Sequence, residues 1–280
     1  MGTALAAGRR RLCAGSPARL LVNGAALVAV VAGGAAAAGW GVERATGGLG
    51  LLGLALQALA LSTMLSLRGL VAAARRVRDA LERSDLEAAR RRVARDLVSR
   101  PTAALGPAHV ASAAVESVAE NLTDSLVAPV CFYLAFGLPG AFFYRAVNTA
   151  DAMLGYREGE LEYLGKAAAR LDDALNWVPT RLAAAGLVAG AALAGGSGTR
   201  AWRLLLRDGG NTASPNAGRT MAAMAGALGV RLVKPGVYAL GDGPLPDPPA
   251  IGRALRVAAV GAALAMAAAT LGLAGLERFR

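Results

Sequence analysis

One histidine, two cysteines and two lysines in 280 residues narrow the chemistry before any motif is read. His109 stands alone, so a zinc site or a Ser-His-Asp relay would find no second imidazole, which argues against both. Cys13 and Cys131 are too few and too far apart for a disulfide framework or a CxxC metal site. With only Lys166 and Lys234 as lysines, almost all of the positive charge behind a net +11 is arginine, in a chain biased toward Ala, Gly and Arg. Aromatics make up 5% of residues and are rarely interleaved with the arginines. A sequence pI near 10.9 therefore comes without a base-stacking surface, and nucleic acid is not an expected partner.

Charge is also missing from three long runs. Residues 20–40 and 47–67 carry none, nor do residues 257–276. About 20 apolar residues in a helix cross a bilayer core, so these three predict spanning helices and a lipid bilayer as partner. Hydrophobic residues are 55% of the chain and mean hydropathy is +0.45, which fits a soluble helical protein with an Ala-rich core less well. Two weaker segments follow: 126–144, which holds Pro129 and a Leu138-Pro139-Gly140 break, and 182–198, only 17 residues long. The first residues are basic, but 20–40 is too long for the apolar core of a signal peptide, so a retained helix is expected. The expected fold is all-α: one membrane domain over 1–280, a multi-pass helical integral membrane protein whose amphipathic helices and polar loops form a site at the cytoplasmic face.

Three polar blocks, 75–125, 144–181 and 199–253, lie between the apolar runs. Residues 75–100 hold nine arginines against five acids, and Arg-rich loops mark the cytoplasmic side. Ser84 followed by Glu87 fits a capping box, and His109 to Ser125 reads as a second, amphipathic helix. All three blocks look cytoplasmic, which strict alternation of spans forbids. The expectation is that 126–144 dips in and returns, and that 182–198 also does not cross.

What chemistry the blocks carry is read from their polar residues. Glu116, Glu120 and Asp124, four apart, stack on one helix face, where they would hold a hard cation such as Mg²⁺ or else be balanced by the arginines of 75–100. The second block offers Asp151, Asp172 and Asp173 as metal or base groups, and Arg145, Arg170 and Arg181 as phosphate or carboxylate clamps, beside Asn148 and Asn176. An ordinary helix pair between Arg170 and Asp173 is the simpler reading of those two. Gly159 to Lys166 resembles a phosphate loop but has five residues between its glycines, and Ala167 where a Mg²⁺-binding hydroxyl belongs. The stretch "SPNAG" at 214–218, with Ser214 and Asn216, is a helix start, an anion cradle, or both.

Taken together, "RDLVSR" (95–100), "AAVESVAENLTDSLVAPVCFY" (113–133), "YRAVNTADAMLGY" (144–156), "ARLDDALNWVPTRL" (169–182) and "SPNAG" with "AMAGALGVRL" (214–232) resemble the adenosylcobinamide-phosphate synthases (CobD/CbiB) of cobalamin biosynthesis. The resemblance runs from about residue 60 to the end and implies a multi-pass membrane ligase. Such an enzyme joins adenosylcobyric acid, a corrinoid, to aminopropanol or its phosphate through an amide bond driven by ATP. Two departures stand out. Family members open with Gly-Asp-Pro and His-Pro-Val motifs that this chain does not show, and they carry a His where Thr212 stands.

The implied reaction needs activation of a carboxylate, phosphate neutralisation and a base for the amine. On that basis Glu116, Glu120 and Asp124 are expected to hold Mg²⁺ with ATP, and Arg145 and Arg170, with Arg181, the phosphates. Asp172 or Asp173 is expected to take the amine proton, with Asp151 as a further acid. Asn148, Asn176, Ser214 and Asn216 would hydrogen-bond substrate amides or phosphate. The expected location is the cell (inner) membrane, with other membrane-associated cobalamin enzymes as further partners. A catalytically lost relative serving as a membrane scaffold or sensor, and a transporter, are the readings from other classes; coupled ATP hydrolysis and vesicle flux distinguish them.

Overall fold

Lipid offers the backbone no hydrogen bonds, so a chain this apolar satisfies its N–H and C=O groups within helices. The computed structural model of the protein describes residues 1–277. In chain order its helices are α1 (Gly2–Leu12), α2 (Pro17–Thr46), α3 (Gly50–Ser62), α4 (Leu67–Glu82), α5 (Leu86–Asp96) and α6 (Pro107–Leu122). A π-turn (Thr123–Val127) leads into α7 (Ala128–Leu154). Then come α8 (Leu161–Leu164), α9 (Lys166–Leu175), α10 (Trp177–Leu193), α11 (Gly198–Asp208), α12 (Ala217–Leu228), the antiparallel pair β1 (Leu232–Lys234) and β2 (Tyr238–Leu240), and α13 (Pro248–Glu277). Among the described residues three helical stretches are long and apolar enough to cross a bilayer: Pro17–Thr46, Pro107–Leu154 and Pro248–Gly272. The protein is an all-α, multi-pass membrane protein.

The single domain expected from the sequence is built as two compact units, each discontinuous in sequence. The first unit comprises Met1–Leu65 and Ala128–Asn176. Its centre is an apolar cluster of Leu20, Leu27, Val28 and Ala32 from α2 with Val147, Ala150 and Leu154 from α7. Glycines let these backbones approach: a Cβ on Gly39 would lie 2.8 Å from the Leu138 carbonyl, and one on Gly24 would strike Leu164.

The break foreseen at 138–140 is present, displaced by one residue. Gly137, two residues before Pro139, takes φ 66° and ψ −159°, a conformation reserved for glycine, and Pro139 supplies no N–H to the helix that follows. The Leu138 N–H freed there donates to the Glu43 carboxylate at 2.6 Å, so a side chain from α2 takes over a lost helical bond. The run 47–67 is not one helix. Helix α3 covers 13 residues, about 20 Å, short of a bilayer core by itself, but with α4, from which it is bent by 41°, it is long and apolar enough to cross as a broken span. Ser62 and Thr63 hydroxyls donate to the Leu59 and Ala60 carbonyls, each at 2.7 Å, at the point where it stops.

The second unit comprises Ser66–Val127 and the chain from Trp177 on. Here α10 lies directly against α13, with Gly186 and Gly190 facing Gly261; a Cβ on Gly190 would come 2.7 Å from the Gly261 nitrogen. Between α4 and α5 the turn differs from the expected capping box. Ser84 adopts φ 58° and closes α4, and Asp85 caps α5 by accepting the Ala88 N–H at 2.9 Å. A residue committed to the left-handed region cannot also take the extended conformation of an N-cap, so the next short polar side chain does the capping. Helix α6 was expected over 109–125 and instead runs from Pro107, a favoured first residue, to Leu122.

Candidate functional site

Each unit has a polar centre, and the two are built differently. In the first unit, α7 and α9 supply one connected network. Tyr144, fully buried, donates its hydroxyl to Asn176 Oδ1 at 2.9 Å. Asn176 Nδ2 donates to Asp172 Oδ2 at 2.9 Å, and Asn148 Nδ2 donates to Asp172 Oδ1 at 3.3 Å. Arg145 in turn donates to Asn148 Oδ1 at 3.3 Å. Spacing explains the assembly: Arg145 and Asn148 are three apart on α7, while Asp172 and the capping residue Asn176 are four apart along α9, so each pair shares a face. Four of the sequence-nominated residues, Arg145, Asn148, Asp172 and Asn176, are thereby brought together. Asp151 stands one turn beyond Asn148, and Asp173 adjoins Asp172; both are half-buried. Arg170 is exposed. Lys166 is exposed at the start of α9, and its surrounding stretch is a turn and short helices rather than a phosphate loop.

In the second unit the three acids of the stripe have different surroundings. Glu116 is 5% exposed and committed: it accepts from Ser112 Oγ at 2.7 Å and Tyr238 Oη at 2.8 Å, and pairs with Arg100 at 3.4 Å. Ser112 Oγ also accepts the Val233 N–H at 2.8 Å, so one buried cluster fastens the β1–β2 hairpin to α6. Burial, and then the neighbouring Glu116 charge, pushes the Tyr238 phenol well above its ordinary range and keeps it a donor. Glu120 is exposed, and Asp124 sits half-buried in the π-turn. The adjacent Thr123 hydroxyl is buried with no hydrogen-bond partner among the described residues. No group of three His, Cys, Asp or Glu side chains among the described residues is placed to hold a metal. A three-carboxylate Mg²⁺ site on this stripe does not fit, because Glu116 already spends its oxygens on protein donors.

In the same unit Ser214 and Asn216 open α12, whose Met221 Sδ lies 3.6 Å from the Tyr238 hydroxyl. Ser214 Oγ accepts the Asn216 N–H at 3.2 Å, and Thr212 Oγ1 accepts the Gly218 N–H at 3.0 Å while donating to the Ser214 carbonyl at 2.9 Å. Thr212, at the position of the expected histidine, therefore holds the turn in shape. Arg181 reaches across from α10 to Asn216 Oδ1 at 3.5 Å, its guanidinium 3.8 Å from the Trp177 ring. Arg219 lies near enough for the two guanidiniums to repel, and neither forms an ion pair among the described residues. Two cations beside a helix N-terminus make a place suited to an anion.

A profile of the CobD/CbiB protein family matches residues 1–268. The chain belongs to that family. Relatives named for cobalamin biosynthesis include the probable CobD of Methanothermobacter thermautotrophicus, 48% identical over 191 residues, covering 68% of this chain and 64% of that protein. The CobD of Dehalococcoides mccartyi is 50% identical over 174 residues, 62% of this chain and 56% of that protein. The CobD of Geobacter metallireducens is 44% identical over 218 residues, 78% of this chain and 68% of that protein. The matched stretch thus spans between 56% and 68% of the length of these CobD proteins. No solved structure matches the chain.

Arg100, Ser112, Tyr144, Arg219 and Tyr238 escaped the sequence reading as site residues. For Tyr238 a signal existed: "KPGVY" holds a Pro-Gly turn, with Gly236 at φ 73° and Val237 N–H bonding the Lys234 carbonyl at 2.9 Å. It marks the hairpin that delivers the phenol to Glu116.

Proposed function

We propose that the protein is a membrane-bound, ATP-dependent ligase of cobalamin biosynthesis that forms the amide between adenosylcobyric acid and aminopropanol or its phosphate. Family membership supports the pathway, and the anion place at α12 supports a phosphate-handling reaction. The observation that carries the reading furthest is the Tyr144–Asn176–Asp172–Asn148 network, a carboxylate held in fixed orientation by two amides.

Amide formation from a carboxylate requires a leaving group better than oxide. In the proposed route a substrate carboxylate oxygen attacks the γ-phosphorus of ATP, the bond to the β-phosphate oxygen breaks, and ADP leaves. The amine nitrogen then attacks the acyl carbon, inorganic phosphate departs, and the amine gives up a proton. Asp172, fixed by Asn148 and Asn176, takes that proton in this scheme, with Asp173 and Asp151 as neighbouring acids. Arg181, Arg219 and the N–H groups at the start of α12 bind phosphate, with Ser214 and Asn216 shaping the turn. Arg145 orients Asn148, and exposed Arg170 is left to meet an anionic substrate group. Mg²⁺ is assigned to the nucleotide phosphates, which need only one or two protein carboxylates beside them. Glu120 and Asp124 are proposed for that part and Glu116 is withdrawn from it. We place the protein in the cell's inner membrane with this chemistry on the cytoplasmic side, where ATP is available.

The test is a mass-spectrometric assay of the purified protein in detergent with adenosylcobyric acid, Mg–ATP and either amine. An amide product that appears only with ATP is expected. Folded protein that yields no product with either amine, while a full-length relative does under the same conditions, sinks the ligase reading for this chain and favours the scaffold.

A further inference from the structure

A groove within the second unit encloses about 290 Å³, and each of its twelve lining residues is Leu, Val, Ala or Met. Helix α6 supplies its floor, where Val118 and Leu122 are buried. Helices α4 and α13 form its walls. On α13 the wall runs from Leu255 to Met266, and its lip is Ala259 and Ala263, four apart and exposed. The facing lip on α4 is Leu67 and Val71, also four apart and half-buried. Alanines stand where close packing would need larger side chains, so a slit stays open between α4 and α13. An apolar cavity of about 150 Å³ already stays dry and takes up a hydrocarbon.

Depth and charge point to what fills it. Helix α13 is long and apolar enough to cross a bilayer, and its charge-free run starts directly after Arg256. Arg256 thus marks where headgroups give way to hydrocarbon. From there to Met266 the helix rises about 15 Å, half of a core about 30 Å thick, so the groove is one leaflet deep. The Arg78 side chain lies along α13 at Gly252, where an added Cβ would stand 3.6 Å from its guanidinium. Leu67 and Val71 face the stretch from Leu255 onward, so α4 and α13 run in opposite directions. Arg75, one turn from Val71, therefore comes to the same end of the groove as Arg256. Both are exposed, and Arg256 shares a stripe with Ala259 and Ala263. Arg78 is already engaged, by Asp79 at 2.7 Å and Glu82 at 3.7 Å. Exposed Arg68 flanks the groove two turns below Arg75, and in lipid its long side chain would draw its charge up toward the headgroups.

We propose that this groove binds an anionic phospholipid, with one acyl chain laid along α6 between α4 and α13 and the phosphate held by Arg75 and Arg256. A slit one leaflet deep takes a single chain, and two cations at its surface end complement the charge that such a chain carries. A second copy of the protein would need a broad apolar face to bury, and a slit topped by arginines does not offer one. Neither the groove nor its arginines belong to the ligase chemistry proposed above.

The full chain in detergent is titrated with phosphatidylglycerol and, separately, with phosphatidylcholine of the same chain length, and bound lipid is counted by native mass spectrometry. Phosphatidylglycerol should bind more tightly. Arg75→Gln and Arg256→Gln should each lower its affinity about fivefold, the worth of one basic residue at an anionic surface, and leave phosphatidylcholine unaffected. Ala259→Phe, whose new ring fills the slit from its exposed lip, should weaken both lipids. A phosphatidylglycerol with a diazirine near its chain end should label the wild type around Met266, and unlabelled phosphatidylglycerol should compete that label away. This last arm needs no variant and decides the matter if Ala259→Phe fails to fold. Equal binding of the two lipids, or labelling confined to other helices, would overturn the proposal. So would a dimer that Ala259→Phe dissociates, because a second copy would then occupy the groove.

Discussion

Glu116 and Asp172 are both carboxylates with hydrogen bonds on each oxygen, yet their surroundings set them to different tasks. Glu116 is buried among a serine, a tyrosine and an arginine that come from α6, the hairpin and the segment before α6. Its bonds tie distant pieces of chain together, and a substrate would have to break them. Asp172 is half-buried and receives neutral amide donors from its own helix end and from α7. Those donors orient it without enclosing it. Burial and the origin of the partners, more than the count of bonds, separate a fastening from a reactive group.

Removing the fastening should have the largest effect. Glu116→Ala leaves the Arg100 charge and two hydroxyls without their acceptor, and breaking a buried pair from one side costs about 3–5 kcal/mol. Hydrogen exchange should show β1 and β2 losing protection first, and Glu116→Gln should restore most of it by still accepting from Ser112 or Tyr238. If Glu116→Ala instead left the hairpin protected and abolished only Mg²⁺-dependent activity, the comparison would be reversed.

For Asp172→Asn we expect the opposite division. The new amide sets a donor against a donor of Asn148 or Asn176, at a stability cost of about 1–3 kcal/mol, while loss of the base lowers kcat on the order of 10²–10⁴-fold. Both are read on one preparation, by thermal unfolding in detergent and by product formation. A rate within a few-fold of wild type would remove Asp172 from the chemistry. Arg219→Met comes next: loss of a charge-assisted contact should raise the KM for ATP or for aminopropanol phosphate about 10- to 100-fold, with kcat little changed. Which KM rises identifies the phosphate bound at α12.

How much of this was readable beforehand follows from where the determining forces act. The long helices were legible because 20 apolar residues have few alternatives, and Asp172, Asn176, Arg145 and Asn148 because helical spacing alone puts each pair on one face. The identity of the Glu116 partners was not legible, since Arg100 and Tyr238 are 16 and 122 residues away in sequence. Nor could spacing reveal the π-turn at 123–127, in which Asp124 sits. Glu43 shows the same limit: nothing local predicts that it bonds the backbone at Leu138, 95 positions later. Local periodicity gives elements and faces; partners brought by tertiary contact decide which carboxylate is structural.

A smaller effect probes the rigidity of the Asp172 network. Tyr144→Phe removes a fully buried hydroxyl and leaves Asn176 Oδ1 one donor short, a loss of about 1–2 kcal/mol. If Asn176 thereby loosens its hold on Asp172, kcat falls several-fold while the KM values stay near those of wild type. Loss of stability alone would mean that the phenol supports packing and not the orientation of the carboxylate.

The smallest expected effect comes from a third carboxylate, Asp96, which is bonded by Arg95 at 2.7 Å and Arg76 at 3.1 Å at the end of α5. The Arg95 hydrogen bond, helped by Arg76, lowers its pKa from 3.8 to about 2. The folded value lies below the ordinary one, so the stabilisation is fully present above about pH 4 and is lost as the pH falls through 2. Both arginines are largely exposed, which limits the contribution to a few tenths of a kcal/mol. The difference in melting temperature between wild type and Asp96→Asn should therefore be small at pH 5 and vanish near pH 2. A difference as large as that of Glu116→Ala would mean that exposure does not separate these carboxylates, and that the origin of their partners alone decides what each one does.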